Sequence, residues 1–206
     1  MPGRVADAPS AARRLGAVLI VAGTLLLGYA GVGYARSALA RDRMRTAWEV
    51  AEARRAVLAA SALAATGTGR VEASGAPVAR LVIPVIGLDE IVVEGVSEGA
   101  LRAGPGHLPG SVLPGEPGNA VLSAHRDRHF HRLDQLAVGD SVVTTAAGRT
   151  VTWRVAERRV VGRDAPALFA SPEPRLTLTT CWPVRYFGPA PDRLVLTLEK
   201  TGERME

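Results

Sequence analysis

Apolar positions follow two regimes along this chain. Residues 15–34 run for twenty positions without a charge and are rich in Leu, Val, Ala and Gly. At 1.5 Å of rise per residue that length suits a helix crossing a hydrocarbon core of about 30 Å, so the segment predicts a membrane span. Residues 1–14 form a short tail before it. Residues 35–65 are dominated by Ala, Leu, Glu and Arg, which lose little side-chain freedom in a helix, and predict a helical juxtamembrane stalk. Thr66-Gly67-Thr68-Gly69 and Ser74-Gly75-Ala76-Pro77 break that pattern, so 66–79 reads as a flexible linker.

From about Arg80 the period changes. Short β-branched runs divided by Gly and Pro occupy 81–83, 91–93, 121–123, 141–145, 151–155, 159–161, 176–180 and 194–198. Eight strands at this spacing predict a sandwich or closed barrel over residues 80–206. Helical periodicity there is confined to 133–136 and 165–169.

Charge refines the picture. Residues 1–77 carry ten Arg and five Asp/Glu, whereas 78–206 carry fifteen basic and fifteen acidic residues, so the net +5 resides in the first part. A formally neutral β domain argues against nucleic-acid binding, which needs a basic stripe on the folded surface. The arginines flank the apolar run instead: Arg4, Arg13 and Arg14 before it, Arg36, Arg41, Arg43 and Arg45 after it. Basic residues on both sides leave the orientation in the membrane undetermined by charge. Ala38-Leu39-Ala40 has the small-x-small pattern of a signal-peptidase site. The apolar run is longer than a signal sequence needs and Arg36 intervenes, so an uncleaved anchor is expected.

One cysteine, Cys181, ends the run Leu176-Thr177-Leu178-Thr179-Thr180-Cys181. A lone thiol forms no internal disulfide and no multi-thiolate zinc cage. It is either a small buried apolar residue or a nucleophile, and a nucleophilic thiolate needs a base or cation beside it. His125 and Arg193, each at the end of a strand-like run, are of the residue types that meet that need.

Three ordered blocks favour the nucleophile. Val121-Leu122-Ser123-Ala124-His125-Arg126-Asp127, Leu176-Thr177-Leu178-Thr179-Thr180-Cys181 and Gly188-Pro189-Ala190-Pro191-Asp192-Arg193-Leu194-Val195-Leu196 resemble the signature blocks of sortases, the cysteine transpeptidases of bacterial surfaces. The similarity covers roughly residues 80 to 200, and the threonine-rich run and the Gly-Pro-Ala-Pro stretch are most similar to class D. The resemblance implies a mainly β fold, an eight-stranded sortase-type barrel with short helices, preceded by the N-terminal transmembrane helix and stalk. It implies Cys181 as nucleophile, His125 as general acid/base and Arg193 as stabiliser of the oxyanion or substrate. The substrates implied are secreted proteins with a C-terminal Leu-Pro-x-Thr-Gly-like sorting signal, cut after Thr. The acceptor is a peptidoglycan or pilin-type amine, reached from a single-pass anchor in the lipid bilayer with the domain outside the cytoplasm. No cofactor is implied. The same residues would also serve a cysteine endopeptidase, or a barrel that only binds an envelope protein.

The remaining residues are expected to play lesser parts. Trp182 and Tyr186, with Phe187, follow the nucleophile and either line a substrate groove or cap the barrel. Thr179 and Thr180 either bond substrate or serve β-propensity alone. His125, His129 and His131 with Asp127 have spacings that fit one face only in part, so no metal is expected. Leu108-Pro109-Gly110-Ser111 and Leu113-Pro114-Gly115-Glu116 echo a sorting signal but read as turns. His107, in a Gly-Pro-Gly-His stretch, reads as structural.

Overall fold

The computed structural model describes residues 10–61, 74–165 and 171–205, and two compact units divide the chain at Leu39 and Ala40. Helix α1 runs without a break from Ser10 to Ser61. In the first unit its apolar side chains, Leu19, Ile20, Leu25 and Leu27 among them, are exposed. Length and composition make this helix able to cross a membrane. In the second unit Trp48 is buried and Arg45 donates to the carbonyl of Asp89 at 3.0 Å. Residues 62–73, the end of the expected stalk and the first part of the expected linker, lie outside the described residues.

The second unit closes into an eight-stranded barrel. Its strands are β1 (Pro77–Ile83), β2 (Leu88–Glu94), β3 (Gly106–His107), β4 (Asn119–Ser123), β5 (Ser141–Ala146), β6 (Arg149–Gly162), β7 (Arg175–Trp182) and β8 (Asp192–Met205). They follow one another around the barrel as β1-β2-β3-β4-β7-β8-β6-β5. Short helical pieces connect them: a 3-10 turn at Pro84–Ile86, helix α2 at Glu98–Ala103 and a 3-10 turn at Leu133–Gln135. Alternation fills the interior, because side chains two apart share a face. Leu176 and Leu178 of β7 meet Leu194, Leu196 and Leu198 of β8, with Leu81, Ile83 and Leu122 in the same cluster. Trp153 is fully buried there, and its indole N–H donates to Thr144 Oγ1 at 2.7 Å, which satisfies the one polar atom it carries inside.

The strand count matches the expectation through two differences that cancel. Runs 151–155 and 159–161 are one strand, β6, carried through a register shift between Val155 and Glu157. Beyond that bulge both faces of β6 are largely solvated, so alternation vanishes while pairing to β8 continues. The strand that periodicity missed is β3, two residues long, recognisable only by its partners. A Cβ on Gly106 would lie 2.2 Å from the Gly95 carbonyl oxygen, so only glycine permits this close pass beside β2. Strand β1 opens at Pro77, inside the segment expected as linker. Helix α2 was also unforeseen, although Ser97 caps it by accepting from Ala100 N at 3.3 Å. The 3-10 turn at Leu133–Gln135 falls where helical periodicity was read. Of the segment 165–169, all but Ala165 lies outside the described residues.

The two Leu-Pro-Gly segments are turns. Ser111 N reaches Leu108 O at 3.0 Å and Glu116 N reaches Leu113 O at 3.1 Å, with Gly110 and Gly115 at positive φ.

One surface pair ties β1 to β2. Arg80 Nε and a terminal nitrogen each donate to the Asp89 carboxylate at 2.8 Å. This fork, then the charges of Arg80 and Arg45, hold the Asp89 carboxyl below its ordinary value of 3.8 against the opposing effect of desolvation. A depressed folded-state value contributes stability above the unfolded value that is lost as pH falls through the folded one. Arg80→Gln is therefore expected to lower urea stability by a roughly constant amount above about pH 5, with the deficit closing below about pH 4. Parallel urea titrations of the detergent-solubilised chains between pH 2 and 7 check this. A deficit unchanged at pH 2 would mean that the pair does not act through its charge.

Candidate active site

Strand register brings Cys181 and Arg193 side by side. β7 and β8 are antiparallel with Cys181 directly opposite Arg193. Directly opposed residues share a face, with Cβ atoms about 4.5–5.5 Å apart. Burial changes at the same point: Leu176 to Thr180 are buried on both faces, and Cys181 is the first exposed residue of the run. The thiol thus emerges where the strand leaves the core.

On the other side of β7 lies β4, in parallel register from Asn119 opposite Arg175 to Ser123 opposite Thr179. Ala124 N continues the ladder by donating to Thr179 O at 3.2 Å. One residue later comes His125, level with Cys181 when the parallel register is extended. The chain reverses there, with Arg128 N and Phe130 N both directed to the His125 carbonyl. Three adjacent strands therefore deliver His125, Cys181 and Arg193 to one rim of the barrel.

Each charged partner has its own brace. His125 is 29 % exposed, and its Nε2 lies 3.2 Å from Glu98 Oε2 of α2 at ion-pair distance but without hydrogen-bond alignment. Arg193 donates from Nε to the Arg163 carbonyl at 3.0 Å. It also stands opposite Val161 of β6, which leaves it between the cysteine strand and β6. A guanidinium anchored through Nε presents its two terminal amino groups as a fork away from the anchor.

The threonines stand behind the site. Thr179 and Thr180 are buried. Thr180 Oγ1 donates to the Ala124 carbonyl at 2.8 Å, tying β7 to the residue just before His125. Thr179 Oγ1 is buried without a partner among the described residues. Trp182 is part-buried against the core, and the Arg158 guanidinium lies 5.3 Å from its ring centroid. Tyr186 is half exposed and Phe187 fully exposed in the loop between β7 and β8, available to line a groove.

The other histidines go elsewhere. His107 is buried in β3, with Nδ1 2.7 Å from Glu94 Oε2 and Nε2 3.0 Å from the Val112 carbonyl. His129 pairs with Glu90 at 3.3 Å and His131 Nδ1 contacts the Arg128 carbonyl at 2.5 Å. His129 and His131, with Arg45, Arg128 and Arg132, line a cavity of about 380 Å³ that none of Cys181, His125 and Arg193 borders. No three His, Cys, Asp or Glu side chains converge among the described residues in a way that would hold a metal ion.

Sequence reasoning missed Glu98. A capping serine before an acidic residue marks the start of α2, but nothing local says that this helix faces His125, 27 residues later.

Comparison with known proteins points to one family. A family model of the sortase domain matches residues 81–201. Sortase D of Bacillus subtilis (strain 168) is 34 % identical over 118 residues, 56 % of this chain and 60 % of that protein. The chain thus spans about three fifths of the length of this curated relative. Among solved structures, a Clostridium perfringens sortase D5 transpeptidase aligns with a TM-score of 0.57 and 26 % identity, over 63 % of this chain and 82 % of its own. The catalytic domain of B. anthracis SrtD aligns with a TM-score of 0.57 and 30 % identity, over 69 % and 99 % respectively.

Proposed function

Given that this chain belongs to the sortase family, with its match running over residues 81–201, we propose that it is a membrane-anchored class D-type transpeptidase. The observation that carries the reading is the register of three neighbouring strands around Cys181, with Arg193 opposite it on β8 and His125 beyond the parallel end of β4.

In this reading the Cys181 thiolate attacks the carbonyl carbon of Thr in a Leu-Pro-x-Thr-Gly-like signal. Negative charge appears on the carbonyl oxygen only as the tetrahedral intermediate forms. The Arg193 guanidinium, a permanent cation with fixed donors, faces that charge. His125 as imidazolium gives its proton to the departing glycine amine, the carbon–nitrogen bond breaks, and a thioester remains on Cys181. An incoming amine, from peptidoglycan or a pilin-type subunit, then attacks the thioester and expels the thiolate, while His125 takes the amine's proton. Glu98 Oε2, 3.2 Å from the imidazole Nε2, places a carboxylate beside the proton-carrying residue. The helix over 15–34 anchors the protein as a single pass, with the barrel on the extracytoplasmic side where such acceptors are found.

The alternative in which water resolves the thioester uses the same residues. Incubating the solubilised full chain with a labelled Leu-Pro-x-Thr-Gly peptide and graded amines separates the two. Amine adducts should appear in proportion to amine supplied, at the expense of the free acid. Free acid released at one rate whatever the amine would end the transferase reading.

A further inference from the structure

Arg126, directly after His125, makes three contacts with one short loop. One terminal nitrogen donates to the Pro183 carbonyl at 3.0 Å, and the other to the Gly188 carbonyl at 2.5 Å. Its guanidinium carbon lies 5.5 Å from the Tyr186 ring centroid. The loop joins β7 to β8, leaving two residues after Cys181 and returning before Arg193. Among the described residues, no backbone–backbone hydrogen bond outside the strand ladders holds positions 183–191. A side chain must therefore supply the polar ties that keep this segment in one place.

We propose that Arg126 is the positioning residue that fixes the 183–188 segment as one wall of the peptide groove, and so sets how tightly the signal peptide is held. The proposal rests on the sortase reading above. Its physical basis is the shape of the guanidinium. Two terminal N–H groups in a rigid plane reach both ends of the loop at once, while the face of the same plane supports Tyr186. Lysine offers a single nitrogen and cannot span the two carbonyls. Held in this way, the loop presents Tyr186, half exposed, and Phe187, fully exposed, at its tip. These rings offer rigid apolar area of the kind that the Leu and Pro side chains of a sorting signal would cover. Because Arg126 adjoins His125 in the chain, the wall and the imidazole-bearing segment keep a constant spacing.

The tests use the solubilised full chain. Arg126→Ala is expected to raise KM for a Leu-Pro-x-Thr-Gly peptide by roughly tenfold or more, with kcat within about threefold of the parent. Arg126→Lys, which keeps the charge and loses the fork, should behave like the alanine variant. Tryptic cleavage after Arg185, exposed within the loop, should quicken in both variants, while cleavage at the other exposed arginines keeps the parent rate. Alkylation of Cys181 by iodoacetamide should proceed at the parent rate. A fall in kcat at constant KM would overturn the proposal. So would slowed alkylation that lysine restores, because Arg126 would then act through its charge on the thiol and imidazole. Unchanged cleavage after Arg185 would overturn it as well. A parent chain that fails to cleave the peptide would count against the sortase reading alone, since the tryptic cleavage rate needs no turnover and still decides whether Arg126 holds the loop.

Discussion

Cys181→Ala is expected to eliminate peptide cleavage and amine transfer while leaving the protein folded and able to bind peptide. The thiol lies at the exposed end of β7, and Leu176, Leu178 and Thr180 below it carry the packing. Truncating an exposed side chain of this kind changes stability by within about 0.5 kcal/mol. The chemical effect is of another order. Removing the nucleophile of a cooperating catalytic set costs about 10⁶-fold in kcat, because general base and oxyanion stabiliser have nothing left to act on. Thermal unfolding monitored by Trp fluorescence, a peptide-binding titration and an end-point cleavage assay give the three readings needed. Unimpaired surface-protein attachment by the alanine variant in cells would instead favour a barrel that only binds its partner.

His125→Gln should have the second largest effect. General acid–base participation is worth about 10²- to 10⁴-fold, and here one imidazole must protonate a leaving amine and then deprotonate an incoming one. The parent enzyme should show a bell-shaped dependence of kcat/KM on pH, because activity needs Cys181 deprotonated while His125 still carries its proton. Glutamine keeps a hydrogen-bonding side chain near Glu98 and removes the titrating group, so the His125 limb of the bell should disappear along with most of the rate. Steady-state kinetics from pH 5 to 10 on both proteins check this. A variant that kept both limbs would show that the second ionisation belongs to another residue.

Much of the barrel was legible because its strands are short, two-faced and punctuated. The run Leu176-Thr177-Leu178-Thr179-Thr180-Cys181 announces a strand, and the leucines do form the inner face. Illegible were the parts whose identity depends on partners. Gly106–His107 is a strand only because β2 and β4 flank it. The polar stretch Ala156-Glu157-Arg158 looks like a break, yet β8 carries it through a bulge. Thr179 and Thr180 read as peptide-bonding residues or, more simply, as β-formers, and only the segments packed around β7 bury them. The place of Trp182, part-buried beside Arg158, is likewise set only by the folded sheet.

Residue chemistry and local period were enough to establish an apolar helix, a β domain, one thiol, and the histidine and arginine suited to serve it, because each is written in a handful of neighbouring positions. Proximity was not written there. Cys181 meets Arg193 through antiparallel register and approaches His125 through the parallel pairing of β4 with β7, strands separated by more than fifty residues of chain. Glu98 and Arg126 owe their places beside the imidazole and the 183–188 loop to the same closure. Contacts of this range are set by how the whole sheet satisfies its hydrogen bonds and fills its core, and no window of sequence contains that information.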